Sequence, residues 1–532
     1  MVATGTAAVV FLLLAAFVAW PLVQVLVVSV WGPEGPPLLP ILLNSLLVSA
    51  ISTALTVLLA LWLAYAATRT TLPGRRFLSL TSRLPLISPP FFASLALILL
   101  FGKDGAMSRS LGLDWSIYGF HGIVIAQVLT FLPQAYILLA NVLGGIDSSL
   151  EEAAENLGAG SLTILRRVTL SLARPGLASA ALSVFVLCMT DFGNPLLVGG
   201  RDTVLATAIY AQAIGRNDFV SAATLSTVLL VPCLAAHVLH AYWVGSTSSV
   251  PVSAGARAAP RPTPGLVRWP LFVLSGGATL CVAVVFGLVP LGSVVRVWGS
   301  DWSLSLDHYG FTATAEGAWP IWNSVKLALI AAGLGTVLAL LAAYVIERKR
   351  PPGARVIEFL SLLPAALPGT VIGVGYILAF NAPPLLLRDT LWILVASVVF
   401  WRFPAAVLAA SDTFRRIDPA VEEAAVNLGA GSVRTFARMV LPLLTGTALS
   451  VFVDFFIGGM VTVSAVIFLV SPGFSLGSVA ILGQVEQGSL GTACALGTSL
   501  LAIVIGSVLL LRALPGGGGL SVLKSGSPRS AL

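Results

Sequence analysis

The residues that ordinarily carry chemistry are few in this chain and poorly placed for it. Four histidines (His121, His237, His240, His308) and four cysteines (Cys188, Cys233, Cys281, Cys494) are scattered over 532 residues. No Ser/His/Asp arrangement, His-Glu-x-x-His motif or CxxC spacing occurs, so no catalytic residue and no metal site is expected, and the cysteines read as packing residues. The phosphate-cradling pattern Gly-x-x-x-x-Gly-Lys-Ser/Thr is also missing; Gly102-Lys103-Asp104 is the nearest fragment. Two kinds of polar residue remain. Asp191 and Asn194, in Thr190-Asp-Phe-Gly-Asn-Pro195, interrupt a long apolar run, as do Arg402 and Asp454. Ionisable groups at membrane depth mark a transport pathway unless they neutralise one another. Arg402 and Asp454 can form such a pair between adjacent helices, and Lys326 is a weaker pathway candidate. Asp191 and Asn194 are the stronger ones, because Gly193 and Pro195 free backbone groups that must line a cavity or be reburied.

The second kind is a polar segment present twice. Ile146-Asp-Ser-Ser-Leu-Glu-Glu-Ala-Ala-Glu-Asn-Leu-Gly-Ala-Gly-Ser161 recurs 271 residues later as Ile417-Asp-Pro-Ala-Val-Glu-Glu-Ala-Ala-Val-Asn-Leu-Gly-Ala-Gly-Ser432. Asp147 or Ser148, and Asp418 followed by Pro419, are helix-starting residues; Ser148-x-x-Glu151 and Ser149-x-x-Glu152 also fit a capping box. Glu151, Glu152, Glu422 and Glu423 fall in the first turns, where the helix dipole favours negative charge. Leu150, Ala153, Ala154 and Leu157, like Val421, Ala424, Ala425 and Leu428, recur with the spacing of one helix face. Gly158 and Gly429 suit a left-handed helix end, after which Ser161 and Ser432 restart a helix. The spacing therefore predicts, twice, a short amphipathic helix, a glycine break and a second helix. Alanines on its apolar face leave room for a partner surface to approach.

These segments sit in a chain that cannot be a soluble globule. It is 57% hydrophobic and 10% charged, with mean hydropathy +0.98, whereas soluble domains carry roughly 25% charged residues. With about 20 apolar residues needed per crossing, the apolar runs predict spans near 7–30, 41–67, 84–101, 120–143, 175–197 and 221–244. A second set follows near 270–297, 322–346, 358–380, 390–411, 441–469 and 493–514. The N-terminus reads as a retained first span rather than a removed signal peptide. Placing both termini inside gives inner loops 21 of the 29 basic residues; outer loops hold only Lys103, Arg109, Arg201, Arg216, Arg296 and Arg388. That asymmetry orients the chain with both termini in the cytoplasm and accounts for the net charge of +7 without nucleic acid.

The repeat extends beyond the polar segment. Asn44-Ser45 matches Asn323-Ser324, Gly74 matches Gly353, Leu84-Pro85 matches Leu363-Pro364, Pro133 matches Pro404 and Gln212 matches Gln484. Both polar segments face the cytoplasm, so each repeat has an even number of spans and the two are parallel. The expected architecture is an all-α polytopic membrane protein of about 12 transmembrane helices in two parallel six-span repeats. Residues 1–244 form the first module, 245–269 a cytoplasmic linker, 270–514 the second module and 515–532 a cytoplasmic tail.

Glu423-Ala424-Ala425, Gly429, Met439 and Leu441-Pro442 resemble the EAA loop of permease subunits in bacterial ABC importers. Glu152-Ala153-Ala154, Gly158, Val168 and Leu170 give a second copy, with Ser171 where the family usually has proline. The resemblance covers nearly the whole chain as two tandem permease modules of the type I, MetI-like fold in a bacterial inner membrane. It implies that each loop seats a coupling helix in a homodimeric ATPase subunit, which uses ATP and Mg while this chain binds no cofactor. It also implies that an extracytoplasmic binding protein delivers the solute. The Asp191 segment and Thr462–Ser471 look like stretches of fused ferric-iron permeases, with 2-aminoethylphosphonate and thiamine permeases similar in layout. Ferric iron is the first choice of cargo. An ion-coupled secondary transporter would share the span count but lack paired EAA loops.

Overall fold

A computed structural model describes residues 2–30, 38–73, 88–112, 115–247, 265–383, 385–418, 420–427, 429 and 431–513. The expected linker lies mostly outside these residues, and so do the tail, Gly74, Leu84-Pro85, Pro419 and Leu428. Among the described residues, nine helices are long and apolar enough to cross a membrane, and a bent pair makes ten.

The first repeat contains α1 (Gly5–Val30), α2 (Leu38–Arg69), α3 (Phe92–Phe101), α4 (Phe120–Gly145), α5 (Ser148–Asn156), α6 (Leu162–Thr190), α7 (Gly193–Val198), α8 (Leu205–Gly215) and α9 (Phe219–Tyr242). The second contains α10 (Arg268–Val294), α11 (Glu316–Lys349), α12 (Ala354–Leu362), α13 (Gly369–Phe380), α14 (Leu391–Arg416), α15 (Ala420–Asn427), α16 (Thr445–Val461), α17 (Gly477–Glu486) and α18 (Leu490–Leu511). A short antiparallel hairpin, β1 (Val295–Val297) and β2 (Asp301–Leu304), follows α10.

Three features depart from the sequence expectation. The run 358–380 is not a straight span: α12 with its 3-10 extension to Ala366 meets α13 at 116°. Pro368 stands between them and disfavours helical geometry in Leu367, which is extended at ψ 124°. The fifth spans are also interrupted. Helix α6 ends at Thr190, and α16 ends at Val461 with turns up to Leu469. Finally, stretches read as outer loops contain α8 and α17.

The repeated Asn-Ser pair explains how those two short helices are held. Asn44 Nδ2 donates to the Thr203 carbonyl at 2.9 Å, and the Leu205 N–H donates to Ser45 Oγ at 2.8 Å. In the second repeat Asn323 Nδ2 donates to the Ser475 carbonyl at 3.2 Å, and the Gly477 N–H donates to Ser324 Oγ at 2.9 Å. In each pair the serine accepts the first N–H of the short helix, and the asparagine holds a carbonyl of the segment leading into it.

The described residues form two compact units. One gathers α1, Ala208–Leu230 and the second repeat from Asp307 onward; the other gathers Leu39–Thr207 and Val231–Leu306, which includes α10. Packing units therefore cut across the sequence repeats, because each repeat's first span belongs to the unit built on the other repeat. In the first unit, a Cβ on Gly375 of α13 would lie 2.9 Å from the Pro21 carbonyl oxygen of α1. Pro21 also offers no N–H to the Phe17 carbonyl four residues back. The buried Tyr376 hydroxyl donates to that carbonyl at 2.9 Å. Helices α11 and α16 approach equally closely, since a Cβ on Gly459 would lie 2.8 Å from Ala328 Cα.

Candidate functional site

The two polar segments fold alike. In the first, Asp147 caps α5 by accepting from the Ser149 N–H at 2.9 Å, which holds its carboxyl below the ordinary carboxylate range. In the second, Asp418 accepts from the Ala420 N–H at 2.9 Å. The end of α5 is a complete Schellman turn. Gly158 N–H donates to the Glu155 carbonyl at 2.8 Å and Ala159 N–H to the Ala154 carbonyl at 3.0 Å. Gly158 stands at φ +82° and Gly429 at φ +78°, both left-handed. Ser161 and Ser432 begin the next helices, each of which widens into a π-turn, at Leu165–Thr169 and Phe436–Val440.

The glutamates divide their roles differently from the capping-box expectation. With Asp147 as the cap, Glu151 is not at the reciprocal position and turns inward instead. Its carboxylate is 3.4 Å from Arg69 Nη1 and accepts from Thr169 Oγ1 at 2.7 Å. Arg69 Nη2 also donates to the carbonyls of Leu143, at 2.5 Å, and Ile146, at 2.9 Å. These are the carbonyls of the last turn of α4 and its cap, and that of Leu143 also accepts from the Ile146 N–H at 3.4 Å. The second repeat reproduces this arrangement. Arg348 Nε lies 3.3 Å from the Glu422 carboxylate, while Nη2 donates to the Phe414 carbonyl at 2.9 Å and to that of Ile417. Tyr344 hydroxyl approaches Glu422 at 3.5 Å, and Val440 stands where the first repeat has Thr169.

The other glutamates, Glu152 and Glu423, are exposed, as are Ala153, Ala424, Gly158 and Gly429. Ala154 is half-buried and Ala425 buried, so one alanine of each pair packs inward and the other looks out. Leu150, Leu157 and Leu162 present a run of exposed apolar side chains on the first loop, Leu157 at 87% exposure. Met439, Leu441 and Leu443 are exposed on the second.

Two polar groupings interrupt the apolar helices, the first buried and the second partly exposed. Asp191 ends α6 and is buried with Asn194, Gln127, Thr130 and Ser94. Asn194 Nδ2 donates to Asp191 Oδ2 at 3.0 Å and Gln127 Nε2 to the same oxygen at 3.2 Å, while Ser94 Oγ donates to Asn194 Oδ1 at 2.7 Å. These contacts rebury the polar groups at the Gly193 break, where α7 begins. Arg402 and Asp454 do meet, at 3.4 Å between α14 and α16, with Gly458 leaving space for the guanidinium. Lys326 lies over Trp319 and Trp322, 5.0 and 5.4 Å from the ring centres. Arg69 and Arg348 were legible only as inner-loop charges. Their common position at the ends of the matched spans α2 and α11 was the available signal.

Residues 56–244 and 335–514 each match the family model of the binding-protein-dependent transport system inner membrane component. The chain is 35% identical over 483 residues to the ferric transport system permease protein FbpB of Actinobacillus pleuropneumoniae, covering 88% of this chain and 70% of that protein. It is 28% identical over 397 residues to the thiamine transport system permease protein ThiP of Escherichia coli, covering 71% of this chain and 70% of that protein. The molybdenum transport system permease protein ModB of Escherichia coli aligns over 176 residues at 27% identity, which is 32% of this chain and 76% of ModB.

Proposed function

Because the chain belongs to the family of binding-protein-dependent transport system inner membrane components, we propose that α5 and α15 are its coupling helices, each seated on one copy of a homodimeric ATPase. In this reading the chain is the permease of an ABC importer, with its termini and both coupling loops in the cytoplasm. An extracytoplasmic binding protein presents the solute on the other side. ATP and Mg act in the partner, whose closure draws the two coupling helices together and switches the access of the two repeats. Glu152 and Glu423, with the apolar residues beside them, meet the ATPase. Arg402 and Asp454 serve as a neutralising pair, whereas Asp191 and Asn194 line the pathway when the break after α6 opens.

The observation that supports this reading most is the duplication itself. The same aspartate cap and left-handed glycine occur once in each repeat, each beside an exposed glutamate and alanine, as two copies of one partner require. Ferric iron is the proposed cargo, supported by the name and the 35% identity of the ferric transport permease over most of the chain. The test is uptake by proteoliposomes holding the chain, its ATPase and its binding protein. ATP-dependent accumulation of labelled ferric iron is expected. Accumulation of thiamine without iron would overturn the cargo assignment, and uptake without ATP would overturn the importer reading.

A further inference from the structure

We propose that Arg69 and Arg348 are positioning residues that couple each docking helix rigidly to two membrane spans. The inference rests on the reading of α5 and α15 as the helices seated on the ATPase. Each arginine lies at the inner end of the second long span of its repeat, α2 or α11. From there its guanidinium reaches two carbonyls three residues apart at the end of the next long span, α4 or α14, and the first glutamate of the docking helix. Three elements thus converge on one planar group. A helix end carries partial negative charge on its last carbonyls, which have spare accepting capacity and favour a cation. Guanidinium, with five donors in a fixed fork, meets carbonyls and carboxylate together, which the single ammonium of lysine cannot do in the same geometry.

The two copies indicate more than stability. A buried ion pair adds little net stability, and its best-attested use is to fix one arrangement against others. Around these pairs the repeats have diverged: Thr169 against Val440, Ser171 against Pro442, and Glu155 against Val426. The arginine, the two carbonyl contacts and the first glutamate are retained in both. Side-chain exposure is 4% for Arg69 and 8% for Glu151, and 11% and 15% for Arg348 and Glu422, so neither pair is a solvated surface contact. The glutamates therefore split their work. The inward one ties the docking helix to its own module, and the exposed neighbour remains at the outer surface. A push on the docking helix then moves the ends of α2 and α4, or of α11 and α14, with it. Without the guanidinium the helix can tilt under load while the spans stay behind.

The test uses the complete importer, with its ATPase and binding protein, in proteoliposomes. Two double variants are compared with the parent chain: Arg69→Lys with Arg348→Lys, and Glu151→Gln with Glu422→Gln. The readouts are ATPase retained on the purified chain, ATP hydrolysed, and solute moved per ATP. The expected result is retention of the ATPase with solute per ATP falling about tenfold, the scale of one charge-assisted hydrogen bond lost under load. Unchanged solute per ATP in either assembled variant would overturn the proposal. Loss of the ATPase from both variants would overturn it too, by making the residues ordinary structural staples. A parent chain that retains no ATPase would instead refute the assignment of the docking helices.

Discussion

Replacing Gly158 and Gly429 separates backbone geometry from space at the docking loops. Both stand in the left-handed region, at φ +82° and +78°, and a Cβ at either would find no atom within 4 Å. Alanine therefore meets no clash within the chain, and its cost comes from the backbone alone. A non-glycine residue held left-handed costs about 1–2 kcal/mol. Asparagine tolerates that region better, and a β-branched residue is worst. If the strain is relieved by unwinding the last turn of α5 or α15, the docking face must be re-formed on binding. Affinity for the ATPase should then fall roughly five- to thirtyfold for alanine at one site. The order expected is glycine, asparagine, alanine, valine. Binding of labelled ATPase to the chain in nanodiscs measures it directly. Equal losses for asparagine and alanine would refute the backbone argument and show that the glycine supplies room for the partner. No loss in either variant would refute the docking role of the helix end.

Two further outcomes follow from contacts between the spans. Tyr376→Phe removes the donor to the Phe17 carbonyl, and should destabilise the detergent-solubilised chain by about 1–3 kcal/mol in denaturant titrations. Pro21→Ala restores an N–H to the helix, so the same Tyr376 change should cost less in that background; equal costs would show that the carbonyl has no need of the hydroxyl. Arg402→Leu leaves Asp454 without its cation, and should lower the yield of folded chain more than Arg402→Leu combined with Asp454→Leu. A double variant as poor as the single one would mean that the residues serve something other than each other.

The features legible in the sequence were the local ones. Asp147, Asp418, Gly158 and Gly429 announce the ends of two short helices because caps and left-handed turns depend on a few adjacent residues. The pairing of Arg402 with Asp454 could be anticipated because isolated opposite charges in apolar helices have few other solutions. What sequence concealed was long-range. Arg69 reaches carbonyls 74 and 77 residues away, and nothing in its neighbourhood marks it off from the other basic residues of the inner loops. Asp147 and Ser148 are both candidate caps in the sequence, and local spacing cannot show that Asp147 takes the position while Arg69 meets the Glu151 carboxylate. Asn44-Ser45 and Asn323-Ser324 were visible as repeats, but their role required α8 and α17, which short length and flanking turns disguise as loops. The bend before α13 has a local sign in Pro368, yet apolar composition alone made 358–380 look continuous.

The most direct measurement is the mass of the purified complex in its native state, with the ATPase co-expressed. Two ATPase copies per chain are predicted, one for each docking helix, with solute uptake that stops when ATP is withheld. A chain that purifies without ATPase and accumulates solute on an ion gradient alone would contradict the account.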